Sequence, residues 1–259
     1  MDLQLKERIA IVGGGSQGIG YGIARTLAGE GAKIAIVARR EANLADAADR
    51  IRRETGAEVL TIAADCRRAE DCSRAISGTL EAYGGIDVVI NNDGAPPLGH
   101  LDTFDDMAWQ KAVEQNLMYV VRMARGALPH MKRRGGGSIL NITAISAIQP
   151  LAKFGLSVAT WSGVIGFAKT LSIEVAPFGI TVNTICPGYI ETSRLEKVFA
   201  AGGADPEIMR NQLKAEVPLK RIGTVDDVAA LVALLVSPRG SYITGTTIQV
   251  DGGLLRAVR

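Results

Sequence analysis

The chain has 259 residues and 30 glycines, well above ordinary usage, against 5 tyrosines, 5 phenylalanines and 2 tryptophans. An apolar share of 47% can fill a substantial core, which excludes a disordered or collagen-like chain. Bases number 29 and acids 27, leaving a net charge of +2 scattered along the sequence, so no strong field exists to recruit nucleic acid or an anionic membrane.

The start of the chain, Met1 to Arg8, carries Asp2, Lys6, Glu7 and Arg8 with no apolar core behind a basic start, and no uninterrupted apolar run reaches membrane-spanning length. Cys66, Cys72 and Cys186 are odd in number and lack CxxC spacing, so they read as reduced thiols and not as a metal site. A cytoplasmic protein with no metal and no membrane partner is expected.

Short β-branched runs at 9–12, 33–37, 59–63, 88–90, 139–142, 180–185 and 246–250 read as buried strands. Helical patterns lie between them. Ile19, Ile23 and Leu27, joined by Ala24 and Ala28, share one apolar face, and Leu44, Ala48 and Ile51 mark another that stops before Gly56. Thr224 with Asp227 spells a capping box opening a helix through Val228, Val232 and Leu235. The alternation predicts an α/β fold, a doubly wound parallel sheet of about seven strands with helices on both faces. No linker or repeat divides it, so 1–259 reads as a single domain. The stretch 193–217, with Gly202-Gly203 and Asp205-Pro206, breaks the rhythm and reads as an irregular, lid-like insertion.

The run Gly13-Gly14-Gly15-Ser16-Gln17-Gly18-Ile19-Gly20 follows the first strand and opens the first helix. In that context missing Cβ atoms let the backbone approach a pyrophosphate, which free N–H groups and the helix dipole stabilise; an ordinary glycine-rich turn is the plainer alternative. The second strand ends Val37-Ala38-Arg39-Arg40, with no carboxylate to hold a ribose diol, so NADP (NADPH) is expected over NAD. Two solvated surface arginines are the plainer reading of Arg39 and Arg40.

At this point the chain resembles the short-chain dehydrogenase/reductase family over nearly its whole length, which implies a Rossmann-like fold. The family's TGxxxGxG is similar to Gly13 through Gly20, placing Gly14, Ser16, Gln17, Gly18, Ile19 and Gly20 at a cofactor. The resemblance adds Asp65 and Cys66 at the adenine, Asn92 and Gly94 in Asn91-Asn92-Asp93-Gly94, the helix Asn116, and Pro187, Gly188, Ile190 and Thr192 beside the nicotinamide. Val250-Asp251-Gly252-Gly253 also fits the family's C-terminal end.

The family's chemistry rests on a serine and a YxxxK pair, in which tyrosine handles the proton and lysine lowers its pKa and holds the ribose. Counting from Asn141-Ile142-Thr143-Ala144 and from Gly163-Val164-Ile165-Gly166-Phe167 puts Ala144, Ser157 and Trp161 at those places. The tyrosines are Tyr21, Tyr83, Tyr119, Tyr189 and Tyr242, so none lies between 120 and 188. Gly13 also stands where the family has threonine, and Asp93 where it has alanine. Asn116, Ser157 and Lys153 are the expected catalytic candidates, with His100 and Thr143 nearby. Trp161 either packs in the core or touches ligand.

The expected function is therefore an NADP-dependent oxidoreductase acting on a carbonyl/alcohol pair by an atypical proton path. Two alternatives stand beside it: a non-catalytic nucleotide-binding sensor or partner subunit, and a repurposed cofactor-independent lyase or cyclase. Leu195, Val198 and Phe199 suggest an apolar wall for a small-molecule substrate. The resemblance implies a homotetramer or homodimer formed through the helices of Asn116 and Ser157.

Overall fold

A computed structural model describes residues 1–92, 94–196 and 205–257. The strands are β1 (Ile9–Gly13), β2 (Lys33–Ala38), β3 (Val59–Ala63), β4 (Val88–Asn91), β5 (Gly137–Ile142), β6 (Ile180–Pro187) and β7 (Thr247–Val250). They form one sheet in the order β3-β2-β1-β4-β5-β6-β7, and each neighbouring pair is parallel. This is the expected doubly wound, Rossmann-like sheet of seven strands.

Alternation along the strands builds the two faces. Val12, Ile34 and Ile36 point to one side, against α1 (Gly18–Gly29), α2 (Glu41–Thr55) and α8 (Val225–Val236). Ile11, Ala35 and Val37 point to the other, against α3 (Ala69–Tyr83), α5 (Tyr119–Arg133) and α6 (Gly155–Val175). Because every central strand is covered on both sides, its residues are apolar nearly without interruption, as in Ile9 through Val12. The capping box at Thr224 and Asp227 is present at the start of α8.

Two local features depart from the sequence pattern. The stretch read as an irregular insertion contains α7 (Pro206–Glu216), and residues 193–196 are helical as well. Asp205 caps α7 by accepting from the Glu207 N–H at 2.8 Å, and Pro206 supplies the preset φ of a first turn. The helix escapes a periodicity reading because none of its residues is fully buried, and Ile208 is 58% exposed. Val198, Phe199 and Asp93 lie outside the described residues.

The second feature is a π turn, Glu114–Met118, between α4 (Asp106–Val113) and α5. One extra residue in the turn shifts the helix face, a distortion that recurs at functional sites. Asn116 sits inside it and Tyr119 follows it.

Candidate functional site

Strand order reverses between β1 and β4, so a crevice opens at the carboxyl ends of these strands, the place where doubly wound sheets bind ligands. The turn from β1 into α1 forms one wall. Gly14 and Gly18 take φ of +59° and +56°, which side chains with a Cβ rarely adopt. A Cβ on Gly14 would come within 2.6 Å of the Asn92 carbonyl oxygen, and one on Gly20 within 2.3 Å of the Gly14 carbonyl oxygen. Asn92 closes the packing by donating from Nδ2 to the Gly13 carbonyl at 3.1 Å. Among the described residues the first turn of α1 has no side-chain cap and carries no acidic residue, so no side chain there competes with an anion for the helix N-terminus.

Thr192 lies across from the same turn, its Cγ2 placed 3.5 Å from where a Gly18 Cβ would be. It follows the Pro187-Gly188 corner, where the Gly188 N–H donates to the Val250 carbonyl at 3.0 Å and a Cβ would meet Asp251 at 2.8 Å. Ile190, 6% exposed, bridges to Gly223 behind it. Ser16, Gln17 and Ile19 lie in the turn itself.

At the far end of the crevice Arg39 and Arg40 are exposed just past β2. Asp65, just past β3, is gripped by Arg67, whose Nε donates to both carboxylate oxygens at 2.8 and 3.1 Å. The Arg67 hydrogen bonds hold the Asp65 carboxyl below its usual range, and the Arg39 charge adds to that shift. Arg67 therefore joins the candidate site through Asp65, although periodicity and motif spacing do not single it out. Its signal was the Arg67-Arg68 run straight after Asp65 and Cys66. Cys66 is half-buried, and its carbonyl accepts from the Cys72 thiol at 3.1 Å.

The central part of the site lies between β5, the π turn and α6. Thr143 spends its hydroxyl on β6, donating to the Ile185 carbonyl at 3.2 Å, and Ala144 follows it at the head of a short 3-10 turn. In α6, Ser157 is fully buried at 0% exposure, and its hydroxyl has no hydrogen-bond partner among the described residues. Trp161, one turn later, is half-buried. The Asn116 amide links three neighbours: its nitrogen donates to the Gly94 carbonyl at 3.3 Å, and its oxygen accepts from Trp161 Nε1 at 3.3 Å and Thr160 Oγ1 at 2.8 Å. α6 carries no tyrosine, and its single lysine, Lys169, donates to the Gly245 carbonyl at 3.1 Å, at the other end of the helix.

Lys153 is exposed, with φ +70°, in the loop that leads into α6. Its carbonyl accepts from the Gly99 N–H at 3.0 Å, which brings exposed His100 to the same rim. On the opposite rim Arg210 of α7 donates to both oxygens of Glu191, at 2.7 and 2.6 Å, and pairs with Glu196. Tyr189 donates to Glu216 at 3.0 Å; burial and that carboxylate push its pKa up to about 12. The helical segments after β6 are thus tied to the sheet by charged and phenolic groups. Among the described residues no cluster of metal-ligating side chains occurs.

Sheet order, crevice and glycine turn define a Rossmann-like protein of the doubly wound class. Residues 14–255 match the family model described as Enoyl-(Acyl carrier protein) reductase. The chain is 32% identical over 250 residues to human (Homo sapiens) "Dehydrogenase/reductase SDR family member 4", covering 96% of this chain and 88% of that one. It is 34% identical over 245 residues to the 3-oxoacyl-(acyl carrier protein) reductase FabG of Staphylococcus epidermidis, covering 95% and 98%. The L-sorbose reductase of Gluconobacter frateurii, crystallised with NADPH and L-sorbose, superimposes with a TM-score of 0.94 at 33% identity over 100% of both chains. The chain belongs to the short-chain dehydrogenase/reductase family.

Proposed function

We propose that this chain is an NADP-dependent oxidoreductase that interconverts a carbonyl and an alcohol on a small, partly apolar substrate, without a tyrosine–lysine pair on α6. The observation that carries the reading is the cradle at the β1–α1 turn: Gly14 and Gly20 leave no room for a Cβ, and the α1 N-terminus behind them is uncapped. A diphosphate fits such a cradle. Arg39 and Arg40, which form no ion pair among the described residues, suit a 2′-phosphate in place of a ribose diol. The NADPH complex of the L-sorbose reductase supports the same choice.

Bound NADPH supplies the hydride; the chain supplies orientation and a proton. Ala144, Ser157 and Trp161 stand where the family's serine, tyrosine and lysine are expected. The Ser157 hydroxyl is sealed from the crevice, and the Trp161 N–H is engaged by Asn116. Neither offers a proton to a substrate. Lys153 and His100, brought together on the rim by the Gly99 bond, are the proposed proton carriers, and Asn116 positions the loop at Gly94. Losing a built-in acid costs about 10²–10⁴-fold, whereas orientation of the reacting groups is retained, so slow turnover is expected.

Fluorescence titration tests the cofactor. NADPH is expected to bind more tightly than NADH, and Arg39→Ala to weaken NADPH by about tenfold while leaving NADH unchanged. Tight NADPH binding with no oxidation or reduction across a panel of ketones and alcohols would favour a nucleotide-binding sensor or partner subunit, the reading that the buried Ser157 hydroxyl supports. No binding of either nucleotide would leave a cofactor-independent lyase or cyclase. The proposal includes cytoplasmic location and assembly of two or four copies through the helical segments that carry Asn116 and Ser157.

A further inference from the structure

Gly14 and Gly18 are accounted for by their positive φ; Gly13 is not, because its φ lies outside that region. A residue with a side chain would meet no backbone strain there. What it would meet is Tyr119: a Cβ on Gly13 would lie 1.9 Å from the Tyr119 hydroxyl oxygen and 3.1 Å from the ring carbon that bears it. The same Cβ would lie 3.1 Å from the Asn92 carbonyl oxygen, so the phenol, the turn and the Asn92 strand end converge on one point. Tyr119 is 2% exposed, among the largest fully buried side chains, and its hydroxyl oxygen is buried too.

The path that brings it there is specific. Tyr119 is the first residue of α5, immediately after the π turn that aims Asn116 at Gly94 and Trp161. One backbone distortion therefore presents two side chains to the crevice, one to its central part and one to the underside of the glycine turn.

We infer that Tyr119 is a positioning residue for the glycine turn: its hydroxyl occupies the volume left by Gly13 and holds the turn against Asn92 in the shape that receives the cofactor diphosphate. This rests on the NADP reading above. Gly13 and Tyr119 form a matched pair, in which the glycine exists to admit the phenol.

The test is a double-mutant cycle of Gly13→Ala and Tyr119→Phe, read by NADPH affinity well below the melting temperature and, separately, by thermal unfolding. Removing the hydroxyl deletes the 1.9 Å overlap and leaves the 3.1 Å approach to the ring, which a small shift can absorb. Gly13→Ala is expected to weaken NADPH binding by about tenfold in the wild-type background and by no more than about threefold beside Tyr119→Phe. Tyr119→Phe alone is expected to keep the fold and weaken NADPH by about threefold. Equal penalties for Gly13→Ala in the two backgrounds would overturn the pairing. Coupling seen in the melting temperature with NADPH affinity unmoved would overturn the positioning role and leave mere packing. A wild-type chain that binds no NADPH sinks the cofactor reading and this inference together, whereas a binding wild type with equal penalties sinks this inference alone.

Discussion

Trp161 shows how one residue changes what a site can do. Its indole N–H meets Asn116, and the same amide reaches Gly94 and Thr160, so the tryptophan acts as a strut between α6 and the loop after β4. Trp161→Phe keeps the apolar ring but removes the donor, leaving the Asn116 oxygen with Thr160 alone. It should cost about 1 kcal/mol of stability in urea unfolding, the usual worth of a buried hydrogen bond between neutral groups, with no gain in turnover. Asn116, Ser157 and Trp161 were all visible in the sequence as a set. That the Ser157 hydroxyl is buried without a partner among the described residues was not visible, since burial depends on how other segments pack over α6.

Among the elements, α8 carries the clearest electrostatic signature. Thr224 accepts from the Asp227 N–H at 3.2 Å, the Asp227 carboxylate accepts from the Thr224 N–H at 2.7 Å, and Arg221 grips the same carboxylate at 2.7 and 2.9 Å. Arg221 above all, and then the cap, hold the Asp227 carboxyl far below the usual carboxylate range. A depressed folded-state pKa means that the stabilisation is present above the unfolded value and disappears as pH falls through the folded one. Asp227→Asn should therefore lose about 1 kcal/mol at neutral pH, with the gap to wild type closing as pH drops well below about 4 in chemical unfolding. Capping and strand alternation were legible because they are local rules. The helix α7 was not, because it buries no side chain fully and owes its place to the bonds of its Arg210 and Glu216 with Glu191 and Tyr189, partners outside the helix and well before it in the chain.

For the whole molecule, α6 is the element that looks outward. Within the helical stretch 155–178 an 18-residue window reaches a mean hydropathy of 1.2, apolar enough by length and composition to cross a membrane, yet the inner face packs against β6 and the sheet core. Its outer face presents Ala159, Ser162, Gly166, Thr170 and Ile173, small or apolar residues at helical spacing, with Ile173 68% exposed. A second copy of this helix is the expected cover. A Cβ on Gly166 would meet nothing within 4 Å among the described residues, so Gly166→Arg leaves the protomer intact while placing a long charge on that face. Sedimentation should show wild type as a dimer or tetramer and Gly166→Arg as a smaller species with an unchanged melting profile of the isolated fold. A wild type that sediments as a monomer would remove the assembly reading.

By itself the sequence determined the strand and helix succession, the parallel sheet, the glycine turn and the absence of tyrosine from α6, because each follows from periodicity, turn chemistry or plain counting along a short stretch. Only the tertiary structure decided that Arg67 grips Asp65, that Asn116 spends its amide on Trp161 and Gly94, and that Tyr119 lies beneath Gly13. Tyr119 and Gly13 are separated by most of the first half-sheet in sequence, and they meet because a π turn in one helix reaches the end of a strand laid down long before it. The absence of tyrosine from α6 and the absence of a side chain at Gly13 read as two separate features along the chain. In space, the glycine and a different tyrosine prove to be one contact.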